Sequence, residues 1–213
     1  MALRIKENTL AFLILAASLT AQPLTFTARK HTLTVDDTGV TLDRHRWIYT
    51  DLRRLTLAPD RLVIWTYDGR KSYTIDRLPD GAAAKLYPLL RAHMDQRFIP
   101  ELPDLDPQPL WKMPAKVERG RKGANGTLIV GADRIVFDSA EHDASRTWRY
   151  ADIANIGHSG LFDLSLSTQL GTEVHFSLKE PLSEDRFHAL WLRLEEANGL
   201  TPYQSRLGQH KEH

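Results

Sequence analysis

Two aspartates, Asp51 and Asp152, close nearly identical stretches of the sequence, "WIYTD" and "WRYAD", and each is followed by Leu or Ile. Two carboxylates held close together could act as the general acid and general base of a hydrolase, if one of them had a raised pKa. Nothing near either aspartate in the sequence would raise its pKa. The stretches therefore favour a structural role, in which both carboxylates accept hydrogen bonds in turns.

The aromatic residues of the two stretches are the strongest candidates for the core. Alternate residues of a strand share one face, so Trp47 lies on the same side as Tyr49, and Trp148 on the same side as Tyr150. A buried Trp or Tyr removes about 150–250 Å² of surface from water. We expect all four side chains in the core rather than at a catalytic centre.

The other residues that could do chemistry are scattered along the chain. His142 stands between Glu141 and Asp143, and His210 and His213 lie near the end, but a metal site needs three or four converging ligands. The sequence contains no Gly-x-Ser-x-Gly, phosphate-loop, dinucleotide or His-Glu-x-x-His motif. It therefore predicts no metal, no cofactor and no enzymatic activity. A hydrolase with an unrecognised site is the weakest alternative.

The two aromatic stretches belong to a longer internal repeat. Residues 32–35 read "TLTV" and match "TLIV" at residues 127–130, 95 positions later. From Trp47 onward the offset is 101, because the second copy has six more residues before Trp148. A constant offset over a long stretch is typical of one fold written twice.

Each copy carries the same predicted elements. Short segments rich in β-branched and aromatic residues, separated by turn sequences such as Asp68-Gly69, predict six or seven strands. One amphipathic helix follows in each copy, with Ser183 as the N-cap of the second and Pro88 as a kink in the first. The apolar stripes of these helices are Leu86, Leu89 and Leu90 in the first copy, and Phe187, Leu190, Trp191 and Leu194 in the second.

The repeat also predicts where the chain divides. We expect domains over residues 22–98 and 116–200. They are joined by a stiff connector over residues 99–115, which contains five prolines. Trp111 of the connector is expected to dock on one of the domains, and residues 201–213 to form a polar tail.

The first 21 residues are typical of a secretory signal. Arg4 and Lys6 precede an apolar run too short to span a bilayer, and small residues up to Ala21 follow it. We expect export to the periplasm or the cell exterior, and leave open whether the segment is cleaved or kept as an anchor. The chain has no cysteine, so its core must be sufficient without disulfides.

The charge of the exported chain argues against nucleic acid as a partner. Without residues 1–21, the number of Lys and Arg falls from 28 to 26, and that of Asp and Glu from 27 to 26. Proteins that bind nucleic acid usually carry a strong basic excess. A neutral chain without one favours other partners.

Short antiparallel strands followed by one C-terminal amphipathic helix, together with "WIYTDL" and "WRYADI", resemble the pleckstrin-homology-like (PH-like) superfold, and most of all its bacterial PH-like and GRAM-like versions. The resemblance covers nearly the whole chain after residue 21. It implies a mainly β (α+β) protein of two tandem domains. Each domain would be a bent antiparallel barrel of six or seven strands, closed at one end by its helix.

The resemblance also implies a binding site at the open end of each barrel, near the loop between the first two strands. That loop carries Arg29 and Lys30 in the first copy, and Arg119, Arg121 and Lys122 in the second. Glycines in the second loop would let backbone N–H groups approach an anion. Solvated loop charge is the simpler alternative for these residues.

These observations favour an exported, non-enzymatic binding or scaffolding protein. Its partner would be an envelope protein or peptide, bound along an exposed strand edge or in the groove beside a helix. The alternative is a module that binds anionic lipid or another membrane surface through the basic loops. The sequence leaves the oligomeric state and the identity of the partner open.

Overall fold

A computed structural model describes residues 22–67, 72–103, 109–118, 123–141 and 143–199. Over these ranges the protein is mainly β, as predicted, with fifteen strands, two α-helices and two 3-10 turns. The expected signal segment and polar tail lie outside the described residues. No helix within the described ranges has the length and apolar character to cross a membrane.

The first half contains eight strands and one helix. Strands β1 to β4 cover Leu24–Ala28, His31–Asp36, Gly39–Leu42 and His45–Ile48, and β5 to β7 cover Leu52–Ala58, Arg61–Thr66 and Ser72–Asp76. Helix α1 follows at Ala82–His93, and β8 covers Phe98–Pro100. The strands form two four-stranded sheets, in the orders β1-β2-β3-β4 and β7-β6-β5-β8.

The second half contains seven strands and one helix. Strands β9 to β12 cover Trp111–Val117, Ala124–Val130, Arg134–Asp138 and Arg146–Arg149. Strands β13 to β15 cover Ile153–Gly157, Asp163–Thr168 and Glu173–Leu178, and helix α2 covers Glu184–Ala197. All seven strands join one antiparallel sheet in the order β12-β11-β10-β9-β15-β14-β13.

The two halves repeat one strand register. Val40 of β3 lies opposite Trp47 of β4, and Ile135 of β11 lies opposite Trp148 of β12. The pairing of β5 with β6 shifts between residues 52 and 54, and the pairing of β13 with β14 shifts between residues 153 and 155. The sequence offsets of 95 and 101 therefore correspond to matched positions in the structure.

The aromatic stretches form the same turn in both halves. A 3-10 turn covers Tyr49–Asp51 in the first half and Tyr150–Asp152 in the second, and Trp47, Tyr49, Trp148 and Tyr150 are all buried. The hydroxyl of Tyr49 donates to the carbonyl oxygen of Asp36, and that of Tyr150 to the carbonyl oxygen of Gly131, each at 2.7 Å. Asp36 and Gly131 are themselves 95 residues apart, so the same hydrogen bond is built twice.

Closed barrels, which the resemblance implies, are not present over the described residues. The first half divides its strands between two sheets, and the seven-stranded sheet of the second half ends at β12 on one side and β13 on the other. The chain passes from β12 to β13 through a 3-10 turn instead of a hairpin. These two consecutive strands therefore do not pair, and the sheet stays open at this point.

Each half has its own hydrophobic core. Buried side chains from residue 28 to residue 102 form one cluster, and those from residue 111 to residue 194 form another. The largest fully buried side chains include Leu55, Ile64 and Leu90 in the first core, and Phe137, Tyr150 and Phe176 in the second. The rings of Phe137 and Trp148 both pack on Phe176. Two cores are consistent with two units, each able to bury its own apolar surface.

The helices differ from their predicted alignment. Leu190 and Leu194 are the buried residues of α2, whereas Phe187 and Trp191 are only half-buried and pack against the rim of the core. In α1 the corresponding buried pair is Leu86 and Leu90. Leu86 therefore matches Leu190, and Leu90 matches Leu194, at an offset of 104 residues instead of 101. The second half has three more residues before its helix than the sequence alignment assumed. The predicted N-cap is present, since the Ser183 hydroxyl accepts a hydrogen bond from the Arg186 N–H at 3.4 Å.

The predicted connector contains strand residues at both ends. Phe98–Pro100 forms β8, which pairs in parallel with β5. Residues 111–115 form the first part of β9, and Trp111 is buried opposite Val130 of β10. Pro100 lies in β8, an edge strand, where a missing N–H is tolerated. Pro114 lies opposite Thr127 of β10 and just before residues 115–117, the part of β9 that pairs with β15.

We predict that the second half folds alone only if β9 is complete. β9 lies in the middle of its sheet, between β10 and β15. A fragment covering residues 109–213 should unfold cooperatively in urea, whereas one covering residues 116–213 should show no cooperative transition, because it lacks Trp111, Met113 and Ala115 of the core. Circular dichroism during the titration measures both. Cooperative unfolding of the shorter fragment would contradict the assigned role of β9.

We also predict that Leu190 contributes more to stability than its larger neighbour Trp191. Replacing the fully buried Leu190 by Ala should cost about 2–5 kcal/mol. Trp191→Ala should cost less, because the indole is half-buried and stacks on the partly solvated ring of His188. Arg193→Ala on the exposed face is the control and should change stability by about 0.5 kcal/mol or less. Urea unfolding of the full chain ranks the three, and a larger effect of Trp191→Ala would reverse this placement.

Candidate functional site

Strand β12 joins the second half to the first. The guanidinium of Arg149 donates to the carbonyl oxygens of Arg91 and Met94, at 3.3 and 3.0 Å, where α1 ends. The hydroxyl of Thr147, which is buried, donates to the carbonyl oxygen of Leu102 at 2.9 Å. β12 is therefore docked on the segment that leaves α1.

Ion pairs surround this junction. Pairs that are partly exposed to water each contribute about 0–1 kcal/mol, so they orient the two halves more than they stabilise them. The pairs that cross between the halves, with their N···O distances, are Arg146–Glu101 at 2.8 Å, Arg91–Asp133 at 2.5 Å and Arg61–Asp143 at 3.6 Å.

The most buried charges of the junction are those of Arg149 and Asp152. The guanidinium binds the carboxylate through two parallel hydrogen bonds, of 2.6 and 3.1 Å, and both side chains are less than a fifth exposed. Burial raises the pKa of Asp152, and the hydrogen bonds and charge of Arg149 act in the opposite direction. Arg149 therefore opposes the effect of burial and favours the ionised form of Asp152.

A pocket of about 160 Å³ opens beside the junction. Its apolar wall consists of Val117, Trp148 and Val174, which are core residues at one end of the second sheet. A smaller hollow of about 30 Å³ is lined by residues of β8 and β12. Arg146 and Trp148 line both the pocket and this hollow and lie between them. The remaining residues around the larger pocket are Glu101, Glu118, Asp143, Ala144, Ser145, Arg146, Thr172 and Glu173.

The rim of the pocket is acidic. Four of its lining residues are carboxylates and one is an arginine. The arginine, Arg146, is held by Glu101, and its guanidinium carbon lies 6.0 Å from the centre of the Trp148 ring. Two of the four carboxylates, those of Glu118 and Glu173, are exposed. An apolar wall with exposed carboxylates beside it suits a long side chain that ends in a positive charge.

The extra residues of the second copy build part of this pocket. Its loop folds back on itself, because the Ser145 hydroxyl accepts from the Ser139 N–H at 2.9 Å and donates to the Ser139 carbonyl at 3.1 Å. Glu141 accepts a hydrogen bond from the Asn125 N–H at 2.9 Å. Ser145 and Asp143 of the loop then line the pocket. The length difference in the repeat was the sequence signal that could have located this site.

The predicted anion-binding residues are divided between described and undescribed parts. Arg29 and Lys30 are exposed in the β1–β2 turn, where Arg29 has a left-handed φ of 55°. Arg119, Arg121 and Lys122 follow Glu118 directly in the chain but lie outside the described residues. Asp43 accepts hydrogen bonds from His31 and from the Thr32 N–H, at 2.7 and 2.8 Å, and this brings the β3–β4 turn beside the β1–β2 turn.

A third basic residue of this end was missed by the sequence analysis. Arg44 follows Asp43 in the β3–β4 turn and is exposed. The contact between Asp43 and His31 places Arg44 at the same end of the sheet as Arg29 and Lys30. The structure thus gathers three cations there, none of which lines one of the pockets described above.

The two aspartates of the opening motif have separate partners. Asp51 is exposed and accepts a hydrogen bond from the Ile48 N–H at 3.3 Å, whereas Asp152 binds Arg149. Each therefore belongs to its own turn, as the structural interpretation expects. The expectation that neither pKa is raised was wrong for Asp152, because its burial could not be seen from the neighbouring residues. Among the described residues, no group of three or more His, Asp and Glu side chains is arranged to hold a metal ion.

Comparisons with known proteins identify no family. No protein-family model matches the chain, and no curated protein matches it. Among solved structures, the chain is similar to the C-terminal domain of an unknown protein from Leishmania infantum, with 16% sequence identity over 41% of this chain and 83% of that one. The TM-score of this pair is 0.34, which is too low for the likeness to carry an argument.

We predict that removing Arg149 leaves a costly buried charge. Arg149→Met should destabilise the full chain by about 3–5 kcal/mol, because Asp152 loses its partner. The double variant Arg149→Met/Asp152→Ala should recover part of that loss. Arg193→Met, which removes an exposed pair with Glu196, is the control and should have an effect of about 0.5 kcal/mol or less.

The pH dependence distinguishes this account from a simple loss of packing. Without Arg149 the pKa of Asp152 should rise further above 3.8. A carboxyl with a raised folded-state pKa gives stability that is present below 3.8 and is lost as the pH rises through the folded value. Arg149→Met should therefore become less stable on going from pH 4 to pH 7, and the double variant should not. Parallel urea midpoints for the two variants would refute the assignment.

Proposed function

We propose that the protein is an exported, non-enzymatic binding protein that takes a basic side chain of a protein partner into the acidic pocket beside β12. Export rests on the N-terminal sequence pattern. Binding rests on one observation, a pocket of about 160 Å³ that combines an apolar wall with four carboxylates. The partner class follows from this chemistry, because a lysine or arginine side chain combines an apolar stem with a terminal charge.

The finer fold assignment is part of the same proposal. We assign each half to the PH-like class, as an incompletely closed version of its barrel. Supporting this, each half runs through seven strands and then a helix, and each breaks between its fourth and fifth strands at the Trp-x-Tyr-x-Asp turn. In the second half, β9 also pairs with β15, so that the first and last strands of that half meet.

The walls of the pocket are suited to binding without rearrangement. Trp148 is held by the ring of Phe176, and Ser145 by its bonds to Ser139. Arg146 is engaged by Glu101. A partner would therefore meet a preformed wall, which reduces the entropy lost on binding. Glu118 and Glu173 are exposed and can meet the incoming charge.

The smaller hollow extends the same surface. It lies between β8 and β12 and includes Leu170, an exposed apolar side chain. Arg146 and Trp148 separate it from the larger pocket. An extended peptide that places its basic side chain in the pocket could lay a neighbouring apolar residue over Leu170. Pockets for side chains along one extended segment are a common means of peptide recognition.

The alternative of an anionic membrane surface rests on the other half. Arg29, Lys30 and Arg44 share one end of the first sheet and are exposed. Exposed cations on turns are often simply solvated, and neither of the two pockets described above includes these three. The acidic pocket gives more chemical detail, so we favour a basic protein segment as the ligand.

The proposal predicts charge-selective peptide binding by the full chain. A labelled peptide of alternating Lys and Val should bind, and a peptide of alternating Asp and Val should not, as measured by fluorescence anisotropy. Glu118→Gln/Glu173→Gln should weaken binding about tenfold, which is about 1.4 kcal/mol. Glu180→Gln/Glu184→Gln removes two exposed carboxylates at the far end of β15 and the start of α2, and it should leave the affinity unchanged.

Three outcomes would count against the proposal. Equal weakening by both double variants would mean that only the overall charge matters. Stronger binding of the acidic peptide would reverse the sign of the site. Salt-sensitive sedimentation with phosphatidylglycerol vesicles, lost in Arg29→Asp/Lys30→Glu and accompanied by no peptide binding, would favour the membrane alternative. Asp is used at position 29 because it tolerates the left-handed conformation.

A further inference from the structure

The outer edge of β5 is covered by a short parallel strand. Leu55 of β5 lies opposite Phe98 of β8, and Leu57 lies opposite Pro100. The Leu55 N–H donates to the carbonyl oxygen of Arg97 at 2.9 Å, and the Leu57 carbonyl accepts from the Glu101 N–H at 2.7 Å. The first half thus uses the segment after its helix to satisfy the edge of its own sheet.

The equivalent edge in the second half has no such strand among the described residues. β13 matches β5 at an offset of 101, and both strands have the same register shift in the pairing with the next strand. β13 is the last strand of its sheet and pairs only with β14 among the described strands. Ile156 lies opposite Leu166 as Leu55 lies opposite Ile64. By this shared register, the Ile156 N–H points to the open edge. Edges of this kind accept further strands readily.

The chain leaves α2 at the start of this edge. The side-chain amide of Asn198 donates to the carbonyl oxygen of Ile153 at 3.4 Å. In the first half, the side chain of Arg97 donates to the carbonyl oxygen of Leu52, the matching position, at 3.0 Å. Both helices therefore deliver the following segment to the same point of the sheet. Residues 200–213 follow from there and lie outside the described residues.

The residues that follow Gly199 include apolar side chains, and the surface near β13 has exposed apolar side chains that they could cover. Residues 200–202 read Leu-Thr-Pro, the apolar-x-Pro pattern that Phe98–Pro100 shows in β8. At the far end of β13, Leu161 and Phe162 are 53% and 56% exposed. They are neighbours in sequence and form an apolar patch on the connection to β14. Tyr203 and Leu207 are the apolar side chains that come next in the tail.

We propose that the tail of this chain, residues 200–207, adds to the outer edge of β13 as a parallel strand and covers Leu161 and Phe162. Leu200 would lie opposite Ile156, as Phe98 lies opposite Leu55. The second half then completes its sheet in the way the first half does, and the tail closes an edge that would otherwise invite pairing with another chain. This proposal is independent of the acidic pocket.

Amide hydrogen exchange of the full chain tests the proposal. The exchange of the peptide covering residues 153–162 should be at least tenfold faster in a variant that ends at Gly199 than in the full chain. A variant that ends at Gln209 keeps the proposed strand and should match the full chain. Equal exchange in all three variants would overturn the proposal. A near-native circular dichroism spectrum of the Gly199 variant ensures that the comparison concerns the edge alone.

Crosslinking supplies a second, independent measurement. The chain has no cysteine, so a Gly157→Cys/Thr201→Cys variant contains a single pair that can form a disulfide. In the proposed register these residues face each other, and mild oxidation should give an intramolecular crosslink at low protein concentration. Gly157→Cys/Gln209→Cys is the matched control and should crosslink at least tenfold more slowly. Two results would overturn the proposal. A disulfide-linked dimer would show that the tail of a second copy pairs with the edge, and the absence of any crosslink would show that the tail does not lie there.

Discussion

The hydrogen bond from a tyrosine hydroxyl to a backbone carbonyl is the constraint on which both halves depend. Tyr49 reaches Asp36 and Tyr150 reaches Gly131, each from within a 3-10 turn and each at 2.7 Å. Burial raises the pKa of both tyrosines far above the ordinary value, so both hydroxyls remain donors at every physiological pH. The bond ties the turn to the end of a neighbouring strand. The tryptophan two residues earlier fills the core beside it, and the turn leads the chain from the fourth to the fifth strand of each half.

The two halves differ at the residue between tryptophan and tyrosine. In the first half it is Ile48, which is 48% exposed. In the second half it is Arg149, which holds Asp152 and reaches the carbonyl groups at the end of α1. The backbone geometry is the same at both positions. One half therefore presents a surface there, and the other uses the matching position to attach its neighbour.

Local patterns were sufficient to predict part of this structure. The burial of Trp47 and Trp148, the mainly β class and the repeated register all follow from residue types and spacing. The sequence could not predict the pairs Arg146–Glu101 and Thr147–Leu102, because each joins residues 45 positions apart across the boundary between the halves. The sequence analysis also missed which face of α2 is buried. Phe187 and Trp191 are the larger side chains, but packing on the sheet selects the face that carries Leu190 and Leu194.

The wall of the acidic pocket draws on both halves, since Glu101 belongs to the first and the other lining residues to the second. A ligand in the pocket would therefore contact the Arg146–Glu101 ion pair, which joins the halves, as well as the second sheet. Thermodynamic linkage requires that a ligand favoured by the docked arrangement also favours docking by the same free energy. Binding at the pocket and docking of the two halves would then strengthen one another, so that the pocket would act as a second attachment between the halves whenever it is filled.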